Sequence, residues 1–368
     1  MPIPLIASDH HLAHDGLVEL LAGTPVACYE SPERATVIRA ALLATGDFAL
    51  EAPAEHGPDP IAAVHALELI DLVEHAWTDA VAAGRDAGRP LLPDTFLLGA
   101  YGAGMELERL PIGRHDRLGA FCFDTATPIV AGTAAAAHAA VDIALTALDR
   151  VLDGEPLAYG LCRPPGHHAG RALIGGYCYF NNAAVVAESV LARGAQRVAI
   201  LDVDFHHGNG TQQIFWERGD VLYVSLHGDP AGIYPYFSGY AVERGAGAGE
   251  GTTLNLPLPP GTDGDAYLAT LDEALDAIRR FEPDAPLVLS LGFDTYHADP
   301  ICNLSLQTDD FARIASAVAT LSMPVVAIQE GGYAIEALGA NSVAFLGALH
   351  GTAPGLGTNA TRPASRER

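Results

Sequence analysis

Three observations predict an α/β fold for this chain: one open, mostly parallel sheet with helices on both faces. Short apolar runs of strand length alternate with longer segments of helical periodicity. Four of the apolar runs end abruptly in acidic, histidine or tyrosine residues, and in open parallel sheets ligands collect at the carboxyl ends of strands. A length of 368 residues, 49% hydrophobic and without internal repeat, provides the core of one large domain.

In chain order, strands are expected at residues 157–162, 198–201, 287–291 and 325–328. Each is almost continuously apolar, as strands covered on both faces are. Helices are expected at 133–152, 182–193, 265–281, 309–321 and 335–349. The alanine-rich stretch around 132–148 carries His and Asp, so it reads as an amphipathic helix and not a membrane span. Residues 84–115 are interrupted by Gly and Pro and are long for a structureless loop, within a domain expected to span 1–351. Residues 352–368, rich in Gly, Pro, Thr and Arg, are expected to be a disordered tail.

The polar termini of the four runs are RPPGHH (163–168), DVDFHH (202–207), FD (293–294) and EGGY (330–333). Asp204 and His206 are two apart in a segment read as extended, which aims both side chains to one face. With Asp294 they make a trio suited to Zn²⁺ at about 2.0–2.2 Å, leaving a position open for water or substrate. Two carboxylates and one imidazole are a harder set than most zinc trios, so Fe²⁺ or Co²⁺ also fit. The competing reading makes Asp204 and His206 strand-end caps and Asp294 a loop acid. His207 faces away from the trio in an extended segment and reads as structural support. His167 and His168 supply acid and base chemistry near neutral pH.

Taken together, residues 163–168, GYCYFNN (176–182), 202–210, SLGFD (290–294) and 330–333 resemble the motif set of the histone deacetylase and acetylpolyamine amidohydrolase superfamily, in family order. The resemblance runs from about residue 8 to 349, and residues 227–239, 293–300 and 123–129 are most similar to acetylpolyamine amidohydrolases. It implies a single arginase/deacetylase-like domain. It also pairs His167 with Asp202 and His168 with Asn209, where many relatives carry Asp. A carboxylate partner favours imidazolium and an amide does so less, so His168 is read as the neutral base and His167 as the more cationic partner. Tyr333 would donate its hydroxyl to the tetrahedral oxyanion; the alternative is a turn aromatic.

The same resemblance implies a structural K⁺ held by the Asp202 carboxylate, the carbonyls of Asp204, His206 and Leu226, and the Ser225 hydroxyl. Tyr177, preceded by Gly176, and Tyr234 occupy positions of two aromatic tunnel walls; otherwise they are core aromatics. Asp124 matches a substrate-contacting aspartate, or caps a turn. The 84–115 insertion would make a homodimer that narrows the tunnel mouth, where Glu106 or Glu108 would face a distal ammonium or remain solvated loop acids.

The chain carries 20 basic and 45 acidic residues, 20 − 45 = −25, which argues against nucleic acid and anionic membranes and favours a cationic ligand. Every basic residue other than histidine is arginine, which excludes Schiff-base and P-loop lysine chemistry. The five cysteines lack CxxC spacing and read as buried free thiols of a reducing compartment. The N-terminus lacks a basic region and a long apolar run, so the expectation is a cytoplasmic enzyme. The expected activity is zinc-dependent deacetylation of small cationic N-acetyl amines. Alternatives are an acyl-lysine deacetylase, an arginase-like binuclear manganese hydrolase, and an inactive module binding acetylated ligands.

Overall fold

The computed structural model describes residues 2–21, 23–99 and 113–351. In chain order its strands are β1 (Ile3–Ile6), β2 (Val18–Leu21), β3 (Thr24–Ala27), β4 (Phe48–Glu51), β5 (Leu157–Gly160), β6 (Val198–Asp202), β7 (Val221–Gly228), β8 (Thr253–Leu258), β9 (Leu287–Leu291) and β10 (Val325–Gln329). Eight of them form one sheet in the order β4-β1-β5-β10-β9-β6-β7-β8, with every neighbouring pair parallel. Strands β2 and β3 form a separate antiparallel hairpin.

The alternation of side chains along each strand splits the apolar residues between two cores, one on each face of the sheet. In β9, Val288 packs with one cluster while Leu287, Leu289 and Leu291 pack with the other; Val326 and Ala327 of β10 divide in the same way. Helices Leu67–Ala82, Thr133–Leu152 and Asn182–Ala192 cover the first face. Pro32–Thr45, Gly264–Phe281, Thr308–Ala319 and Ile335–Gly351 cover the second. The single-domain α/β fold expected from the sequence is therefore present, with a main sheet that is wholly parallel.

The expected helix 133–152 coincides with Thr133–Leu152, and the other four expected helices differ by a residue or two at one or both ends. Side-chain caps set several starts: Asn181 accepts from the Ala184 amide, and Asp263 from the Ala266 amide. All five cysteines are free, but Cys28 and Cys302 are only half-buried. Among the described residues no helix is long and apolar enough to cross a membrane. Glu106, Glu108 and residues 352–368 lie outside the described residues.

Candidate metal centre and active site

Strands β5, β10, β9 and β6 are consecutive neighbours at the middle of the sheet. Their carboxyl ends therefore bring residues 163–168, 330–333, 292–294 and 202–207 to one place.

One ligand atom each from Asp204, His206 and Asp294 lies within 4.8 Å of the others, and all three residues are buried. His206 Nδ1 is 3.0 Å from Asp294 Oδ2 and 3.5 Å from Asp204 Oδ1. The extended geometry expected for Asp204 and His206 is not what forms. β6 stops at Asp202, and the chain bends through 204–206. The bend is fixed by carboxylates accepting backbone N–H groups: Asp202 from Asp204, Asp204 from His206, and Asp294 from Phe205. The two side chains converge because of this turn and not because of a strand period.

Burial and the charge of Asp204 push the Asp294 carboxyl up to about 7. Two buried carboxylates so close together resist ionising unless a cation joins them. Gly331 is adapted to the same cradle. A Cβ there would meet Asp294 Oδ2 at 2.4 Å and Asp204 Oδ2 at 2.6 Å. Its N–H instead donates to Asp204 Oδ2 at 2.7 Å. The donor set fits one divalent metal.

His167 and His168 lie beside this trio. His167 Nδ1 is 3.0 Å from Asp202 Oδ2, and its Nε2 is 3.7 Å from Asp204 Oδ1. Burial alone would lower its pKa, but Asp204 and Asp202 raise it to about 10. His168 Nδ1 is 2.7 Å from Asn209 Oδ1. A carbonyl oxygen only accepts, so His168 carries its proton on Nδ1 and keeps a lone pair on Nε2. Burial, and then the charges of His167 and His206, hold its pKa well below the ordinary value. The His207 ring packs against that of His227, tilted by 53° with centroids 4.6 Å apart, and its buried nitrogens have no hydrogen-bond partner among the described residues.

The loop bearing the two histidines is tied to β10. Glu330 accepts from the Gly166 and His167 amides and from the Ser290 hydroxyl. Tyr333 is held by residues that no motif reading singled out. Asp299 Oδ2 accepts from the Tyr333 and Ala334 amides, and buried Arg34 donates to the carbonyls of Gly332 and Glu330 while standing 4.7 Å from the Tyr333 ring centroid. Glu30 bridges Arg34 and Arg163, at 2.7 Å from each. These partners are distant in sequence from Tyr333, and the polar context of Glu30 and Arg34, YESPERAT (29–36), gave no signal of their burial.

A cavity of about 190 Å³ opens onto His168, His206 and Tyr333. Tyr177 and Tyr234 line it on different sides, Tyr177 with its ring centroid 5.7 Å from that of Tyr333 and Tyr234 5.1 Å from that of His168. Gly176 adopts φ +55°, and a Cβ there would meet His168 Cδ2 at 2.1 Å. Asp124 links the walls by accepting from the Gly176 amide at 2.6 Å and the Tyr234 hydroxyl at 2.9 Å, while its other oxygen accepts from the Ala126 amide as in a turn cap. Asp202 and Ser225 are register partners across β6 and β7, with Leu226 next in line. Glu19, in β2, also lines the cavity, and nothing in the sequence reading pointed to it.

A parallel sheet carrying this cluster at its carboxyl edge is the arrangement of a deacetylase-type hydrolase. Residues 28–349 match the histone deacetylase domain, and the chain belongs to that family. Membership implies a metal cofactor. More particularly, the chain is 44% identical over 351 residues to acetylpolyamine amidohydrolase 1 of Pseudomonas aeruginosa, covering 95% of this chain and 99% of that one. It is 40% identical over 337 residues to the acetylpolyamine amidohydrolase of Mycoplana ramosa, covering 92% and 96% respectively. Among solved structures, the acetylpolyamine aminohydrolase from Burkholderia pseudomallei superposes with a TM-score of 0.89 at 39% identity, over 95% of this chain and 99% of that one. The HDA15 HD domain superposes with a TM-score of 0.75 at 28% identity, over 95% of this chain and 91% of that one.

Proposed function

We propose that this chain is a zinc-dependent amidohydrolase that removes acetyl from small cationic N-acetyl amines, namely acetylated polyamines and diamines. The observation carrying this reading is the near full-length similarity to several acetylpolyamine amidohydrolases, joined to a narrow aromatic cavity over the Asp204, His206 and Asp294 trio.

Asp204, His206 and Asp294 would hold Zn²⁺, or Fe²⁺ or Co²⁺ in its place, which supplies Lewis acidity toward the acetyl carbonyl and the attacking water. His168 Nε2 takes the proton of the attacking water. His167, kept cationic by Asp202, stabilises the developing negative charge. Tyr333 donates its hydroxyl to the carbonyl oxygen as that oxygen gains charge. As the C–N bond breaks, the proton held by His168 passes to the departing amine, leaving acetate. Tyr177 and Tyr234 admit a methylene chain and exclude bulk. A K⁺ on the Asp202 carboxylate, the Ser225 hydroxyl and the carbonyls of Asp204, His206 and Leu226 would brace the turn after β6. We further propose a domain of residues 1–351 that pairs as a homodimer through the 84–115 insertion, with Glu106 or Glu108 near the mouth, and a cytoplasmic location.

The second reading is an acyl-lysine deacetylase acting on peptides, favoured by the likeness to the HDA15 HD domain. A panel of acetylputrescine, acetylcadaverine, acetylspermidine and an acetyl-lysine peptide, compared by kcat/KM on zinc-loaded protein, separates the two. The small amines are expected to lead by at least about tenfold, ~1.4 kcal/mol of transition-state binding. A preference for the peptide overturns the first reading in favour of the second.

A further inference from the structure

A second cleft, about 470 Å³ in volume, lies beside the catalytic cavity, and among the described residues His168 alone lines both. Asn209, which holds His168 Nδ1 at 2.7 Å, lines the cleft and not the cavity. Two rings complete the partition, Phe123 on the cleft side and Tyr234 on the cavity side, stacked with centroids 6.1 Å apart and planes tilted by 20°. Deacetylation has no use for the rest of the cleft.

The walls of the cleft are nonetheless selective. Phe123, Trp216 and Phe237 give them an aromatic surface, and Phe237 is 93% exposed, a place where core packing gives a ring no reason to be. Glu243 is the one carboxylate in the walls, and no arginine lines them among the described residues. Its hydrogen bonds come from Gln212 Nε2 at 2.6 Å, the Gly239 amide at 2.9 Å, and Ser238 Oγ and Asn255 Nδ2 at 3.4 Å each. All four fall on Oε2, which fixes the carboxylate and leaves Oε1 without a donor among the described residues.

We propose that this cleft is a second binding site, for a free alkyl diamine of the kind that deacetylation releases, with one ammonium on Glu243 Oε1 and the methylenes against Phe123, Trp216 and Phe237. An ammonium carries donors only, matching an acceptor-only group. Ring faces attract cations and also cover methylenes. A carboxylate already held by four donors loses little freedom on binding. An anion is repelled by Glu243, and a neutral hydroxyl forgoes the charge-assisted bond. The net charge of −25 raises the local concentration of such cations.

Occupancy has a kinetic consequence, which rests on the amidohydrolase reading; binding itself does not. His168 gains positive charge as it takes the proton of water. A cation beyond Asn209 opposes that charge, so it lowers kcat, and saturating substrate does not relieve it. A diamine in the catalytic cavity competes with substrate instead and raises KM alone. The cleft is thus a feedback site that slows turnover as free amine accumulates.

The chain has two tryptophans, so in a Trp77→Phe background Trp216 reports on the cleft alone. Putrescine, added to the metal-loaded protein at constant ionic strength, is expected to change Trp216 emission saturably. 1,4-Butanediol, the same chain with hydroxyls, should leave it unchanged. Glu243→Gln, which keeps one oxygen for the Gln212 and Gly239 donors, should weaken putrescine binding by at least about tenfold. Phe237→Ala, which removes an exposed ring and no core contact, should weaken it by about threefold. No saturable response, an equal response to butanediol, or a response that both variants leave intact overturns the site. In turnover of acetylputrescine, putrescine should lower the wild-type kcat by at least about threefold, with each variant normalised to its own rate and Glu243→Gln resistant. A rise in KM alone overturns the feedback. If the protein hydrolyses no acetyl amine, the amidohydrolase reading and the feedback fall together, while Trp216 emission still decides whether the cleft binds amine.

Discussion

Removing one carboxylate from the Asp204, His206 and Asp294 trio leaves two ligands for a divalent cation, too few to hold it against water. Asp204→Ala and Asp294→Ala are each expected to lose bound metal and activity together, read by metal analysis and turnover. Two tightly bound transition metals per wild-type chain would instead favour the binuclear alternative. Tyr333 permits a cleaner cut, because Tyr333→Phe keeps the ring that packs 4.7 Å from the Arg34 guanidinium and removes one donor. The expected loss is about 10²–10³ in kcat, ~2.7–4 kcal/mol, with metal stoichiometry unchanged. A variant near wild-type kcat would make Tyr333 a turn residue. Residues with this chemistry were legible in the sequence because His, Asp and Tyr end apolar runs where packing gives them no reason to be. Arg34, Asp299 and Glu19 were not. Arg34 and Asp299 act on Tyr333 or its flanking backbone, and Glu19 sits in a short hairpin with only Val18 and Leu20 to frame it.

At the scale of elements, strands β5, β6, β9 and β10 were readable and β1, β4, β7 and β8 were not. β7 is buried along its whole length, yet Ser225 and His227 interrupt its apolar pattern; they are tolerated because they hydrogen-bond each other at 2.8 Å. β8 carries Asn255 and Pro257, which weaken any strand signal. The turn after β10 carries a steric requirement imposed by the metal trio itself. Gly331 is not at positive φ, so Gly331→Ala needs no left-handed backbone, but its Cβ would fall 2.4 Å from Asp294 Oδ2. The ligands must move apart, and metal affinity is expected to drop at least about tenfold while the circular dichroism spectrum stays native. Gly347→Ala is the matched control. It lies in the Ile335–Gly351 helix with nothing within 4 Å of its Cβ, and should gain roughly 0.5–1 kcal/mol of stability without touching metal binding. Unchanged metal affinity in Gly331→Ala would show that the cradle relaxes freely.

Across the whole molecule, charge and access act together on the choice of substrate. A net charge of −25 draws cations toward the protein as a whole, an attraction that salt screens beyond about 10 Å. It acts on the rate of encounter and does not distinguish a diamine from a basic peptide. Discrimination must come from the cavity, about 190 Å³ in volume and lined by Tyr177 and Tyr234. Tyr236, 51% exposed, lines that cavity, so a peptide entering its lysine must also settle its backbone against surface side chains. If the 84–115 insertion pairs two chains over this region, the rim narrows further, and peptide substrates bear most of the penalty. Replacing residues 84–115 with a short Gly/Ser linker is then expected to yield a monomer by light scattering. Its kcat/KM on an acetyl-lysine peptide should rise relative to acetylputrescine by about tenfold, while the metal content stays at one per chain. A wild type that is already monomeric would remove the insertion from the account of selectivity. The cavity walls would then have to supply the whole of it.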